Sequence, residues 1–262
     1  QARFQQDQPP CRLTHSFFKR ALFAFSAIIS QMDWLSTTRE AFVLLFSGDA
    51  ELWQIVFISL RVSLLAMLIA APPAIALGYF LATASFTGRR TLIVLIQGLL
   101  ASPTVVVGLI LYILLSRQGI FGSLGLLFTQ EAMIIGQVLI ALPVLVAFTV
   151  SAVQAADPRV RETALSLGAS RLRSVWTILL EVRFGVMAAV FNAFGRIVSE
   201  VGCSLMVGGN IAGVTRNIPT AIALETSKGE FAQGIALGFV LLLVALSVNF
   251  ALAFAQGEGS TK

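Results

Sequence analysis

Arg196 and Glu200 stand four residues apart inside the apolar stretch F-G-V-M-A-A-V-F-N-A-F-G-R-I-V-S-E-V-G, where they can hold or repel an ion but form no reactive group. At the centre of a bilayer each unpaired charge costs about 2.5–3.5 kcal/mol. On one continuous helix an i, i+4 pair offsets part of that cost. Two readings stand open: a salt bridge far from any substrate, or a pair at the bundle interior beside a water-filled path. Gly195 and Ser199 have small-xxx-small spacing, which lets another helix approach closely. Cys203 follows, but with Arg196 and Glu200 it is too thin a set for an intramembrane enzyme. The single histidine, His15, and the second cysteine, Cys11, lie in a polar N-terminal tail, so neither a His-based metal site nor a Ser/His/Asp triad can be assembled, and no CxxC occurs. No catalytic residue and no metal site is expected. GxxxxGK[ST] is absent too, so the chain does not bind ATP in the Walker manner by itself.

The elements that carry these residues are membrane spans. Of 262 residues, 57% are hydrophobic and 12% charged, where soluble domains run at roughly 45–50% and about 25%. The net charge of +5 comes from residues between long apolar runs, so topology explains it better than a nucleic-acid surface. A helix needs about 20 predominantly apolar residues to cross about 30 Å of hydrocarbon. Five stretches qualify: Ile55 to Ala82, Thr91 to Leu115, Met133 to Val153, Phe184 to about Val207, and Ala232 to Ala255. The first three contain Pro72-Pro73, Pro103 and Pro143, which predict kinks that packing neighbours must accommodate. The expected fold is therefore an all-α polytopic membrane protein with five core helices.

Basic residues set the orientation. With the segment between the third and fourth spans inside, the inner loops hold eight basic residues, Arg89, Arg90, Arg159, Arg161, Arg171, Arg173, Arg183 and Lys262, against four outside, Arg39, Arg117, Arg216 and Lys228. The C-terminal tail, 256–262, is then cytoplasmic and Asp49 to Glu51 extracytoplasmic. Residues 1–31 read as an extension. Its apolar run Ala21 to Ser30 is too short to span alone, and serves as a signal-like segment, a short sixth helix, or sequence upstream of a native start at Met32, the reading we favour. Glu40 to Phe46 is expected to be an interfacial helix outside.

Between the third and fourth spans, residues 154–183 form the long charged loop Q-A-A-D-P-R-V-R-E-T-A-L-S-L-G-A-S-R-L-R-S-V-W-T-I-L-L-E-V-R. Asp157-Pro158 is a helix start. Val160, Ala164 and Leu167 form one apolar stripe, Leu172, Val175, Trp176 and Leu179 a second, with a turn at Gly168-Ala169 between them. Pattern alone gives an amphipathic helix pair along the membrane. The spacing of Glu162, Thr163, Ala164, Gly168, Ile178 and Leu180 resembles the EAA motif of the membrane subunits of binding-protein-dependent ABC importers. Thr163 replaces the motif's middle Ala, and Glu181 its final Pro, which leaves the end of the second helix open. The resemblance implies a type I ABC importer transmembrane fold over 32–255, and makes this loop, through Glu162, Thr163, Ala164, Gly168, Ala169, Ile178 and Leu180, the coupling element that docks on a separate ATPase.

Gly208-Gly209 ends the fourth helix and opens V-G-G-N-I-A-G-V-T-R-N-I-P-T-A-I-A-L-E-T-S-K-G-E-F. With Pro103 to Tyr112 and Leu124 to Ile135, this passage is similar to the permease subunits of tungstate ABC transporters and, more distantly, to molybdate permeases. The likeness implies a homodimer with its pathway on the two-fold axis, an ATPase dimer on the cytoplasmic side that holds ATP and Mg, an extracytoplasmic oxyanion-binding protein, and no cofactor or nucleic acid on this chain. It points to Arg196, Ser199, Glu200, Gly208, Gly209 and Asn210 beside the path, with Glu200 tempering Arg196. A molybdate or sulfate permease of the same architecture is the alternative; a non-transporting membrane scaffold is the alternative of another class.

Overall fold

A computed structural model describes residues 34–256 apart from 158, 161, 162, 164, 165 and 169. The expected extension over 1–31, the start at Met32 and residues 257–262 lie outside the described residues. Regular structure among the described residues is entirely helical. The order is α1 (Trp34–Phe46), α2 (Ala50–Thr83), α3 (Arg89–Leu100), α4 (Thr104–Leu115), a 3₁₀ turn (Gly122–Leu124), α5 (Gln130–Gln154), α6 (Arg171–Glu181), α7 (Arg183–Val198), α8 (Gly202–Gly208), α9 (Ile218–Lys228) and α10 (Phe231–Gln256).

Local chemistry fixes the starts. Asp49 accepts from the amides of Glu51 and Leu52 at the head of α2, and Thr129 from that of Ala132 at the head of α5. Asn217 and Thr220 form a reciprocal capping box on α9. The core joins α2, α5, α7 and α8 through residues such as Val62, Ala66, Met133, Leu145, Ala193, Ile197 and Val207. Small residues permit the close approach: a Cβ on Gly78 of α2 would lie 2.7 Å from Thr149 Cβ of α5. A second cluster packs Ala41 of α1 and Ile218 of α9 against Leu52, Val56, Ala236 and Leu237.

Three helices, α2, α5 and α10, are long and apolar enough to cross a membrane alone, and two bent pairs bring the total to as many as five. The expected second span, Thr91 to Leu115, is not one kinked helix: α3 and α4 meet at 97°. Pro103 offers no N–H to extend α3 and disfavours helix at Ser102, whose hydroxyl instead donates to Leu99 O at 2.8 Å. Pro72, Pro73 and Pro143 stay inside continuous helices. The difference is packing. Ala70, Ala74, Val144 and Leu145 bury the flanks of those prolines, whereas α3 has no buried residue to hold it in line with α4.

The expected fourth span is also broken. Helix α7 stops at Val198 and α8 begins at Gly202, so Glu200 stands in the break and not on the helix of Arg196. A third correction concerns α1, which begins at Trp34, well before Glu40, and lays Phe42 on Phe239 of α10 with ring centroids 5.0 Å apart.

Candidate functional site

Two regions carry the predicted residues. In the loop between α5 and α7, Glu162, Ala164 and Ala169 lie outside the described residues. Thr163 O accepts from Leu167 N at 3.0 Å and from Ser166 Oγ at 3.0 Å, a helical turn that ends at Gly168, φ +83. Ser170 then caps α6 by accepting from Arg173 N. Of the expected stripe, the side chain of Leu172 lies outside the described residues, Val175 and Leu179 are half-buried and Trp176 is exposed. Ser174, Ile178 and Val182 are buried, the last two packing with Val153, while Trp176 is 65% and Leu180 49% exposed. Leu167 is 82% exposed at the tip. Anchoring needs only one face, so the loop holds itself to the bundle through Ile178 and presents Leu167, Trp176 and Leu180 outward. Helix α6 ends at Glu181, where the motif has proline, and α7 leaves at 71°.

In the bundle, Arg196 and Glu200 do not pair. Arg196 is exposed and donates through Nη2 to Leu100 O at 3.4 Å, lining a cavity of ≈ 220 Å³ with Ser102, Thr104, Leu139, Pro143 and Val144. Glu200 is buried, and its Oε1 accepts from Cys203 N at 3.1 Å. The carboxylate thus serves the amide of the first turn of α8 that the chain break leaves without a helical acceptor. Ser199 Oγ donates to the carbonyls of Gly195 and Arg196. A Cβ on Gly195 would meet nothing within 4 Å, so the expected close helix approach is absent among the described residues. Asn192, Gly195, Arg196 and Ser199 therefore form one polar stripe on α7, and it is open.

Gly208 is the last residue of α8 and Gly209 and Asn210 follow it; α8 is seven residues long, about 10 Å at 1.5 Å per residue. The predicted path residues are accordingly split between two levels. Gly209 caps α8 at φ +69, a conformation that costs other residues about 1–2 kcal/mol. Asn210 follows at φ +52, with its buried Oδ1 lacking a partner among the described residues.

The 209–217 loop is tied down by Gln54 Nε2 to Gly213 O at 3.2 Å, Gln130 Nε2 to Val214 O at 2.8 Å, and an Arg216–Glu51 ion pair at 3.1 Å. Sequence reasoning missed these residues, and also Gln137 of α5. Buried in the core, Gln137 donates to Ile197 O at 3.3 Å beside Arg196 and leaves Oε1 without a partner. A lone glutamine in I-I-G-Q-V-L-I was the available signal.

Residues 74–256 match the family of binding-protein-dependent transport system inner membrane components. The chain belongs to that family. The permease is 41% identical over 212 residues, 81% of its length and 89% of the relative, to the tungstate uptake system permease protein of Campylobacter jejuni. It is 37% identical over 220 residues to the corresponding protein of Peptoclostridium acidaminophilum, covering 84% and 96% of the two chains. The molybdenum transport system permease protein of Escherichia coli K12 is 30% identical over 209 residues, 74% and 91% of the chains. Among solved structures, a bacterial ABC transporter involved in the import of the acidic polysaccharide alginate aligns with a TM-score of 0.66 at 18% identity, over 96% of the permease and all of that chain. The alginate transporter in complex with its pentasaccharide-bound periplasmic protein gives a TM-score of 0.67 at 16% identity, over 96% and 98%. The permease thus has the type I ABC importer transmembrane fold and is a multi-pass membrane protein, as the sequence led us to expect.

Proposed function

We propose that this permease carries a small oxyanion, tungstate before molybdate or sulfate, across the plasma membrane as one half of a homodimer. The observation that carries the reading is the open polar stripe of Asn192, Gly195, Arg196 and Ser199 on a helix whose other side is core. A polar stripe with one cation per copy does not belong against lipid; facing a second copy across a water-filled gap, it suits a dianion that must be attracted and then released. Arg196, Ser199, Glu200, Gly208, Gly209 and Asn210 border that path. Glu200 tempers Arg196 at a distance through its field, without contact. Tungstate is favoured because the relatives at 41% and 37% identity are tungstate uptake permeases.

An ATPase dimer docks on the loop 154–183 through Glu162, Thr163, Ala164, Gly168, Ala169 and the outward apolar groups, and that subunit holds ATP and Mg. This chain carries no cofactor of its own. The loop's end of the bundle is cytoplasmic, as is the C-terminus, and an oxyanion-binding protein meets the opposite end. The test is ATP-driven uptake into vesicles containing the permease, its ATPase and its binding protein, with tungstate, molybdate and sulfate in competition. Uptake dominated by tungstate is the expected result. Dominance by another anion reassigns the substrate, and hydrolysis without uptake of any of them overturns the reading in favour of a scaffold.

A further inference from the structure

At the end of the bundle opposite the coupling loop, the connection from α4 to α5 folds over a cavity of ≈ 680 Å³. Ser116, Arg117, Gln118, Tyr112 and Phe128 line it. Arg117 is exposed and is in neither of the ion pairs found among the described residues, whereas Arg216, at the same end, is held by Glu51. The cavity therefore has a cation with its charge uncommitted and neutral polar groups beside it. It is much larger than the space at Arg196, and a hydrated ion fits.

Phe128 forms the inner wall. Its amide donates to Val207 O at 2.9 Å, and its ring meets Tyr112 edge-on with centroids 6.2 Å apart. A Cβ on Gly209 would lie 2.7 Å from the same ring. Phe128 has φ +66, and on the far side of Gly209 stands Asn210 at φ +52. A bulky residue in the left-handed region is strained and stays there only while its surroundings impose it. Phe128 carries that strain where the α4–α5 connection touches the end of α8, and in the loop beyond it the side-chain carbonyl of Asn210, a residue type that tolerates the left-handed region, is buried without a partner among the described residues.

We propose that this cavity is an antechamber for the oxyanion, with Arg117 as its cation and Phe128 as its door toward Asn210. The proposal rests on the oxyanion-permease reading. One solvated guanidinium attracts a dianion without caging it. Opening by rotation of the Phe128 backbone gives up the Tyr112 and Gly209 contacts and the bond to Val207 O, and relief of the strained φ offsets part of that cost.

The test uses cysteine variants of the assembled importer in vesicles, made on a Cys11→Ser background and read by rates of thiol modification. At Gln118→Cys, an anionic methanethiosulfonate is expected to react about tenfold faster than a cationic one, the scale on which one sign of charge concentrates ions in a cleft. Arg117→Gln should erase that preference, and tungstate, as the probe anion, should slow the anionic reagent. A preference that survives Arg117→Gln, or that never exists, overturns the antechamber. For the door, Asn210→Cys should react slowly in the presence of Phe128 and about tenfold faster with Phe128→Ala or Phe128→Gly, the latter also free of backbone strain. Ala212→Cys, exposed in the same loop, should react alike in all backgrounds. Equal Asn210→Cys rates with and without the ring overturn the door. Parallel uptake assays separate the two readings. A charge preference with no tungstate uptake supports the antechamber and strikes the tungstate assignment, whereas normal uptake without the preference strikes the antechamber alone.

Discussion

Arg196 shows how a spacing rule depends on the backbone beneath it. Four residues from Glu200, it reads as half of an ion pair, yet the helix ends between them and the carboxylate caps α8 through Cys203 N. Among the described residues, Arg196 is held by one long bond to Leu100 O. Arg196→Gln therefore removes charge while disturbing little packing. We expect unchanged melting temperature and ATPase co-purification, with tungstate uptake at least about tenfold slower, or about 1.4 kcal/mol in the barrier; unchanged uptake would return Arg196 to a structural role. Gly209 gives the opposite pattern. Gly209→Ala combines a left-handed backbone with a Cβ pressed on the Phe128 ring, and should destabilise the fold by about 1–3 kcal/mol, seen as a lower melting temperature in detergent. The type of each residue was legible in the sequence, Gly209 as a helix end and Arg196 as a charge in membrane. Their neighbours were not, because Leu100 and Phe128 lie roughly eighty to a hundred positions away.

Among the elements, the apolar runs of α2, α5 and α10 were readable because length alone decides whether a helix can span. Proline was ambiguous by itself. Whether it bends or breaks a helix depends on burial of its flanks, which differs between Pro103 and Pro143 and leaves no mark in the local sequence. The loop between α5 and α7 was readable at its turn, but which residues anchor it was not: Ser174 and Ile178 are buried, Val175 and Leu179 half-buried beside them, and Trp176 exposed. Gly168 allows a clean test at this scale. A Cβ there would meet nothing within 4 Å, so only the backbone conformation at φ +83 opposes substitution from within the chain. Gly168→Asn, which tolerates that conformation, should keep more function than Gly168→Val. Both should fold as the parent does by circular dichroism, while Gly168→Val loses ATPase co-purification or the coupling of hydrolysis to uptake. Normal assembly and uptake in Gly168→Val would remove the loop from the ATPase interface.

For the whole molecule, the described chain leaves one side unfinished. No residue of α3 is fully buried, only Ile93, Ile96 and Leu100 resting on the core, and the adjacent stripe of α7 is polar where a lipid-facing surface should be apolar. The side of α10 bearing Leu242, Leu246, Phe250 and Phe254 is exposed as well, but it carries no charge and its polar groups, Ser247 and Asn249, bond back to Leu243 O and Ala245 O of the same helix, which suits lipid. Exposure alone does not distinguish a subunit interface from a membrane surface; polarity does. If the α3 and α7 side faces a second copy across the path, Ser199→Cys should join two protomers through a short bismaleimide. Phe250→Cys, on the lipid side, should give no dimer in the same membranes. Cys203 is buried and does not compete, and Cys11→Ser removes the remaining thiol. If ATPases dock on the 154–183 loops as proposed, cross-linking should also shift with ATP, because α6 joins α7 at Val182 and would pass on their closure. A dimer formed through Phe250→Cys and not through Ser199→Cys would place the partner on the wrong side of the bundle, and with it the path.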